Sequence, residues 1–183
     1  DKGEGAPQDL EQATYWYGNA AIQDNAEAQN ALAYKYQVGE GVAKDYKQSL
    51  YWYRKAANQG YDYAQNNLGA MYFMGYGVAK NYKVAENWYL KAANQGNLSA
   101  QRNLGEIYQV GGKGLTQNYK EALFWYKKAA NQGDSEAQNN LGKMYENAIG
   151  VAQDYNKALG WYSKAKIQKN NKARENFDLL EFQ

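Results

Sequence analysis

The sequence predicts an all-α protein, a solenoid of stacked two-helix units with about ten helices in all. Three observations carry this. The five tryptophans stand at positions 16, 52, 88, 125 and 161, so they recur at intervals of 36, 36, 37 and 36 residues. Each interval holds two stripes of apolar and small residues at helical spacing, joined by a glycine-bearing loop. Residues suited to helix ends recur in register at the borders of those stripes. A two-helix unit of this length cannot bury its apolar faces alone, so it stacks on its neighbours.

The first element is a second helix without its first. GEGAPQDLEQATYWYGNAA (3–21) aligns with GEGVAKDYKQSLYWYRKAA (39–57), which makes residues 1–24 a half repeat. Either a first helix lies upstream in a longer protein, or this half repeat caps the array. Full units follow at 25–60, 61–96, 97–133 and 134–169, within a single domain spanning 1–183. In each first helix, Ala28, Ala64, Ala100 and Ala137 share one slot. Leu32, Leu68, Leu104 and Leu141 follow four residues later, then Tyr36, Tyr72, Tyr108 and Tyr145. That i, i+4, i+8 stripe is one face of a helix. Beside each leucine stands Ala33, Gly69, Gly105 or Gly142. A mid-helix glycine costs about 1 kcal/mol against alanine, so its recurrence predicts a helix backbone passing close by.

Each second helix opens on Tyr46, Tyr82, Tyr119 or Tyr155. Small residues at 49, 85, 122 and 158, tyrosines at 53, 89, 126 and 162, and alanines at 56, 92, 129 and 165 continue its stripe. Asp45, Asn81, Asn118 and Asp154 stand where N-caps belong, with Gln48 and Glu121 placed to complete capping boxes. Gly60, Gly96 and Gly133 follow the last turn, where a left-handed residue is wanted. The recurrent WY pair is therefore structural: the tyrosine in the core, the tryptophan packed between units. The last element, 170–183, is a capping first helix whose Lys172, Arg174, Glu175 and Asp178 suit a wet outer face.

Composition narrows the chemistry. The chain has neither cysteine nor histidine. Disulfides, thiol nucleophiles, Cys/His zinc sites and histidine-based acid–base chemistry are excluded. A net charge of +2 makes no case for nucleic acid. No apolar run approaches the roughly 18–20 residues needed to cross a bilayer, so no direct membrane insertion is expected. The basic stretch KAKIQKNNK (164–172) has no interleaved aromatics and reads as a solvated turn.

Residues 64–96, AQNNLGAMYFMGYGVAKNYKVAENWYLKAANQG, resemble the Sel1-like repeat family, a relative of the tetratricopeptide repeat. The family pattern reads A-x3-LG-x2-Y-x2-G-x-GV, then D-x2-KA-x2-WY-x-KAA-x-QG. Asn81 and Val84 are the main departures, and the resemblance recurs in register over residues 3–169. It implies a right-handed αα-superhelix with first helices along the concave face. It also implies a non-enzymatic adaptor that binds a protein or peptide, in bacteria often exported, in envelope, secretion-system or virulence processes. The expectation is thus a periplasmic or secreted monomer, with a cytoplasmic one as the alternative. Some members resemble immunity proteins that neutralise a secreted toxin. Cysteine-rich members are linked to β-lactam hydrolysis, but this chain lacks their cysteines. Its one S-x-x-K spacing, Ser163 to Lys166, lies in the repeat's lysine slot without partner motifs. No cofactor, metal or catalytic residue is expected.

Stepping along the first helices off the core stripe gives the candidate partner face: Asn30, Tyr34, Tyr63, Asn66, Asn67, Met74, Arg102, Asn103, Glu106, Asn139, Asn140 and Lys143. Side-chain amides both donate and accept, so an asparagine ladder suits an extended peptide backbone. Peptide-binding tetratricopeptide grooves use asparagine in a similar way. Six tyrosines fall outside the structural slots: Tyr15, Tyr34, Tyr51, Tyr61, Tyr63 and Tyr76. Two readings stand for them. Tyr34 and Tyr63, with Met74, fit a binding surface, because tyrosine joins large area to a polar tip. Tyr15 and Tyr51 fit cover for an upstream repeat.

Overall fold

The computed structural model describes residues 6–168 and 170–181, with side chains from Leu10 onward. It contains ten α-helices, and no strand occurs among the described residues. The chain divides into two compact units, Asp1–Gln95 and Gly96–Gln183. The first holds α1 (Ala6–Ile22), α2 (Ala26–Val38), α3 (Tyr46–Asn58), α4 (Asp62–Met74) and α5 (Tyr82–Asn94). The second holds α6 (Leu98–Val110), α7 (Tyr119–Asn131), α8 (Ser135–Glu146), α9 (Tyr155–Ile167) and α10 (Asn171–Glu181). Within each unit, every helix packs on the next in chain order. The expected half repeat begins five residues before the described chain, and Lys169, Phe182 and Gln183 also lie outside it.

The second helices start and stop for the reasons the sequence gives. Asp45, Asn81, Asn118 and Asp154 are extended N-caps whose side chains accept first-turn N–H groups. Gly60, Gly96 and Gly133 take φ of 91°, 96° and 97°, which ends each helix at no steric cost. Among the described residues, neither Gln48 nor Glu121 returns a bond to its cap, so the capping boxes are half made.

The cores follow the predicted stripes with three differences. Tyr53, Tyr89, Tyr126 and Tyr162 are 0–2% exposed, and the alanines of their helices are sealed around them. Burying such a side chain stabilises the fold by about 1.5–3 kcal/mol. The mid-helix glycines, however, face rings and not a helix backbone. A Cβ at Gly69, Gly105 or Gly142 would lie 2.7, 2.4 or 2.3 Å from the ring of Tyr89, Tyr126 or Tyr162. The expected Tyr36 slot is also only half-buried in three units. The residue before it closes the core instead: Lys35, Met71, Ile107 and Met144. Side chains one turn beyond a leucine meet the partner helix at i+3 as readily as at i+4. The tyrosines that open the second helices are peripheral, with Tyr119 at 37% and Tyr155 at 48% exposure.

Candidate functional site

The repeat's polar signature is a set of internal fastenings. Gln29, Gln65, Gln101 and Gln138, one per first helix, are buried. Each accepts a hydrogen bond from the glutamine that caps the C-terminus of the following second helix: Gln59 at 2.8 Å, Gln95 at 2.7 Å, Gln132 at 2.8 Å and Gln168 at 3.0 Å. Gln29, Gln65 and Gln138 in turn donate to the carbonyls of Ala21, Ala57 and Ala130. A relay in which each buried amide is satisfied fixes how one helix pair seats on the next. The lysine of WYxK has its own task. Lys55, Lys91, Lys128 and Lys164 lie 5.6, 4.1, 5.0 and 4.3 Å from the ring centres of Trp52, Trp88, Trp125 and Trp161. The sequence pattern displayed both features, AQ in every full unit and K-AA-x-QG in the first three, but a pattern alone does not say which amide meets which.

Where the tryptophans pack is mostly as expected. Trp52 lies against the cores of two adjoining repeats, and Trp161 does the same in the second unit. Trp16 differs, at 67% exposure.

The candidate asparagines are partly used up by the scaffold. Asn67 donates to Asn30 at 3.0 Å, and Asn176 donates to Asn139 at 2.8 Å. Asn66 donates to Asn67 at 3.4 Å. The ladder therefore ties neighbouring first helices together, an arrangement the slot alignment did not show. Asn139 is 4% exposed with its carbonyl taken, so it is withdrawn from the candidate face. Asn30, Asn66, Asn67, Asn103 and Asn140 remain half-buried. The Tyr126 hydroxyl donates to Gln109 at 3.1 Å. That hydroxyl is pushed well above its ordinary range, first by burial and then by the nearby Glu106 carboxylate.

Charged candidates are mixed. Arg102 is half-buried and committed to Asp134 at 2.9 Å and Glu136 at 3.3 Å. Glu106 and Lys143 are exposed. Lys143, Asn139 and Asn140 border a polar hollow of about 450 Å³ with Ser135, Glu136 and Gln168. Lys166 of the S-x-x-K spacing pairs with Asp178 at 2.7 Å and lies over Phe177, which removes it as a free base for Ser163.

The aromatic candidates all stand open in the first unit. Tyr34, Tyr63 and Met74 are 51%, 59% and 50% exposed on α2 and α4. Tyr76 instead stacks on Tyr46, with ring centres 4.9 Å apart, and Tyr51 lies edge-on to Trp52. Among the described residues no three carboxylates gather to hold a metal, and no helix is long and apolar enough to cross a membrane.

A sequence model of the Sel1 repeat matches residues 1–25, 26–61, 62–97, 98–134 and 135–170. The chain belongs to the Sel1 repeat family. Solved Sel1 structures agree. A protective antigen of uropathogenic Escherichia coli with an SLR fold is 40% identical over 96% of this chain, with a TM-score of 0.84. A Sel1 repeat protein of Oxalobacter formigenes is 37% identical over 90%, with a TM-score of 0.82. This chain spans 37% of the first protein's length and 66% of the second's. An immunity protein of Pseudomonas aeruginosa is 28% identical over 83% of this chain and 56% of its own, with a TM-score of 0.57. No curated protein matches the chain. Sel1 repeats generally mediate protein–protein interaction and are typically non-catalytic scaffolds.

Proposed function

We propose that this Sel1 repeat chain is a non-enzymatic adaptor that grips a protein or peptide partner on its first-helix face. One observation carries the reading. The slots that repeat are buried or bound to one another, whereas Tyr34, Tyr63 and Met74 depart from the repeat and stand half or more exposed on one face. A surface cluster of large apolar groups on a stable scaffold marks an interaction site. Asn30, Asn66 and Asn67 flank it, joined in the ladder, where Asn30 makes one of those bonds and Asn67 two, and a side-chain amide can both donate and accept. On the second unit, Arg102, Asn103, Glu106, Asn140 and Lys143 are the polar residues of its own first helices proposed to meet a partner.

The setting we propose is bacterial and outside the cytoplasm, in an envelope, secretion or virulence process. The likeness to a uropathogenic antigen supports that setting. A second reading, an immunity protein that neutralises a secreted toxin, is supported by the likeness to the Pseudomonas immunity protein. The test is capture from native lysate by the immobilised chain, repeated with Tyr34→Ala/Tyr63→Ala after checking unchanged helicity. A partner held by the native chain and lost from the variant supports the face. Equal capture by both overturns it. A captured toxin, with survival conferred by the chain, selects the immunity reading.

A further inference from the structure

The face carried by α1, α2 and α4 breaks three of the repeat's own rules. The first concerns tryptophan and lysine. Four WY pairs have a lysine three residues past the tryptophan and lying over its ring. In α1 that place holds Asn19, and Trp16 has no lysine over it among the described residues. The second concerns helix capping. Asn25, Asn97, Asp134 and Asn170 each accept the N–H of the residue three positions on, at 2.8, 2.9, 2.7 and 3.0 Å. In α4 that place holds Tyr61, which makes no side-chain cap bond. Its ring lies beside Tyr63 instead, with centres 5.6 Å apart.

The third concerns charge. Glu27, Lys35 and Asp62 are the ionic residues of α2 and α4. Lys35 is buried and bound to Glu40 at 3.1 Å, so the outward charge is carboxylate. Glu27 is exposed and forms no ion pair among the described residues. It borders a groove of about 480 Å³ lined by Trp16, Tyr17, Ala20, Asn25 and Ala28. It also lies within electrostatic reach of Tyr61, whose hydroxyl is held above its ordinary value first by partial desolvation and then by Glu27.

We propose that this face seats a basic segment of the partner, with a lysine or arginine side chain laid against its exposed rings and Glu27 as the counter-charge. The inference rests on the partner-binding reading of the first-helix face. The molecule already contains the arrangement, at Lys166 with Phe177 and Asp178 and at Lys55. Lys55 lies over Tyr51 and Trp52 and pairs with Asp24 at 3.7 Å. Rings attract a cation through their negative faces, and a carboxylate alongside adds charge and fixes its position. Trp16 and Tyr63 supply exposed rings, Tyr61 a half-buried one and Glu27 the carboxylate; Lys35 already lies over Tyr17, 5.8 Å from its ring centre, but among the described residues no lysine or arginine lies over Trp16, Tyr61 or Tyr63.

The probes are three peptides of equal length on a Gly–Ser backbone, bearing lysine, glutamine or glutamate at alternate positions. Each is titrated into the full ¹⁵N-labelled chain. The lysine peptide is expected to move the amides around Trp16, Glu27, Tyr61 and Tyr63, while the glutamine and glutamate peptides leave them in place. Glu27→Gln, a change at an exposed position, should weaken the lysine peptide by about two- to fivefold, as should Tyr63→Ala. Equal binding of the lysine and glutamine peptides, or full binding to Glu27→Gln, overturns the cation assignment and leaves the face itself standing. No binding of the lysine peptide also overturns the assignment, and the lysate capture then judges the face independently.

Discussion

Tyr61 can be replaced in two ways that share one loss and differ in one gain. Tyr61→Ala removes the ring from its half-buried place against the first unit's core. Tyr61→Asn removes the same ring but supplies the amide that Asn25, Asn97 and Asn170 use to accept a first-turn N–H. The backbone is already suited to it. Tyr61 has φ −66° and ψ 111°, against −70° and 111° at Asn25 and −60° and 113° at Asn97. No rearrangement is needed for the new amide to reach the Ala64 N–H. Asparagine over alanine at an N-cap is worth about 1 kcal/mol, within a range of roughly 0.5–2. For a chain of 183 residues that is about 2–4 °C in Tm. Urea denaturation and thermal unfolding of the two variants, followed by circular dichroism, read the difference directly. The asparagine variant should be the more stable, with an unchanged m-value. Equal stability would show that α4 is already capped by other means and would remove the second of the three broken rules.

Three further outcomes are expected. Gly142→Ala should destabilise by about 1 kcal/mol despite alanine's higher helix propensity, because the new methyl meets the Tyr162 ring; Gly160→Ala, with open space around it in α9, should stabilise by up to about 1 kcal/mol. Burial raises the hydroxyls of Tyr53, Tyr126 and Tyr162 well above 10.0; above that pH the unfolded chain has released protons that the folded chain keeps, so the stability these groups lend below it is lost on the alkaline side. The slope is at most about 1.4 kcal/mol per pH unit for each tyrosine, and denaturant titrations of Tyr53→Phe across this range should show a shallower fall. Gln138→Leu should cost about 1–2 kcal/mol in chemical denaturation, since it deprives Gln168 of its acceptor and Ala130 of a donor.

The fold was legible because repetition averages out local ambiguity. One YWYRKAANQG could be many things, but in-register copies leave only a packed unit. Helix borders followed from Asp45, Asn118 and Gly60, whose roles are decided within a few residues. What the alignment did not yield depends on contacts between helices. It could not show that Gly105 lies under the Tyr126 ring, or that Ile107 rather than Tyr108 closes the core, because both turn on the rotation of one helix against another. The candidate site was half legible. Tyr34, Tyr63 and Met74 stood out because they left the repeat. The asparagines stood out for the opposite reason: each of their two slots holds asparagine in three of four units, and a residue that recurs in this way is more often holding units together, as Asn30 and Asn67 do. Tyr61 was noticed as an extra tyrosine; that it displaces an N-cap is visible only once α4 begins at Asp62.

The central claim is that a partner occupies the first-helix face of the first unit. Site-specific photo-crosslinking tests it most directly. A photoreactive phenylalanine analogue is placed singly at Tyr34 or Tyr63, and as controls at Tyr51 or Phe124, which are 50% and 55% exposed on second helices. Crosslinks to a common partner from positions 34 and 63, without them from 51 and 124, are the predicted result. Crosslinks from 51 or 124 alone would place the partner on the second-helix face and contradict the account.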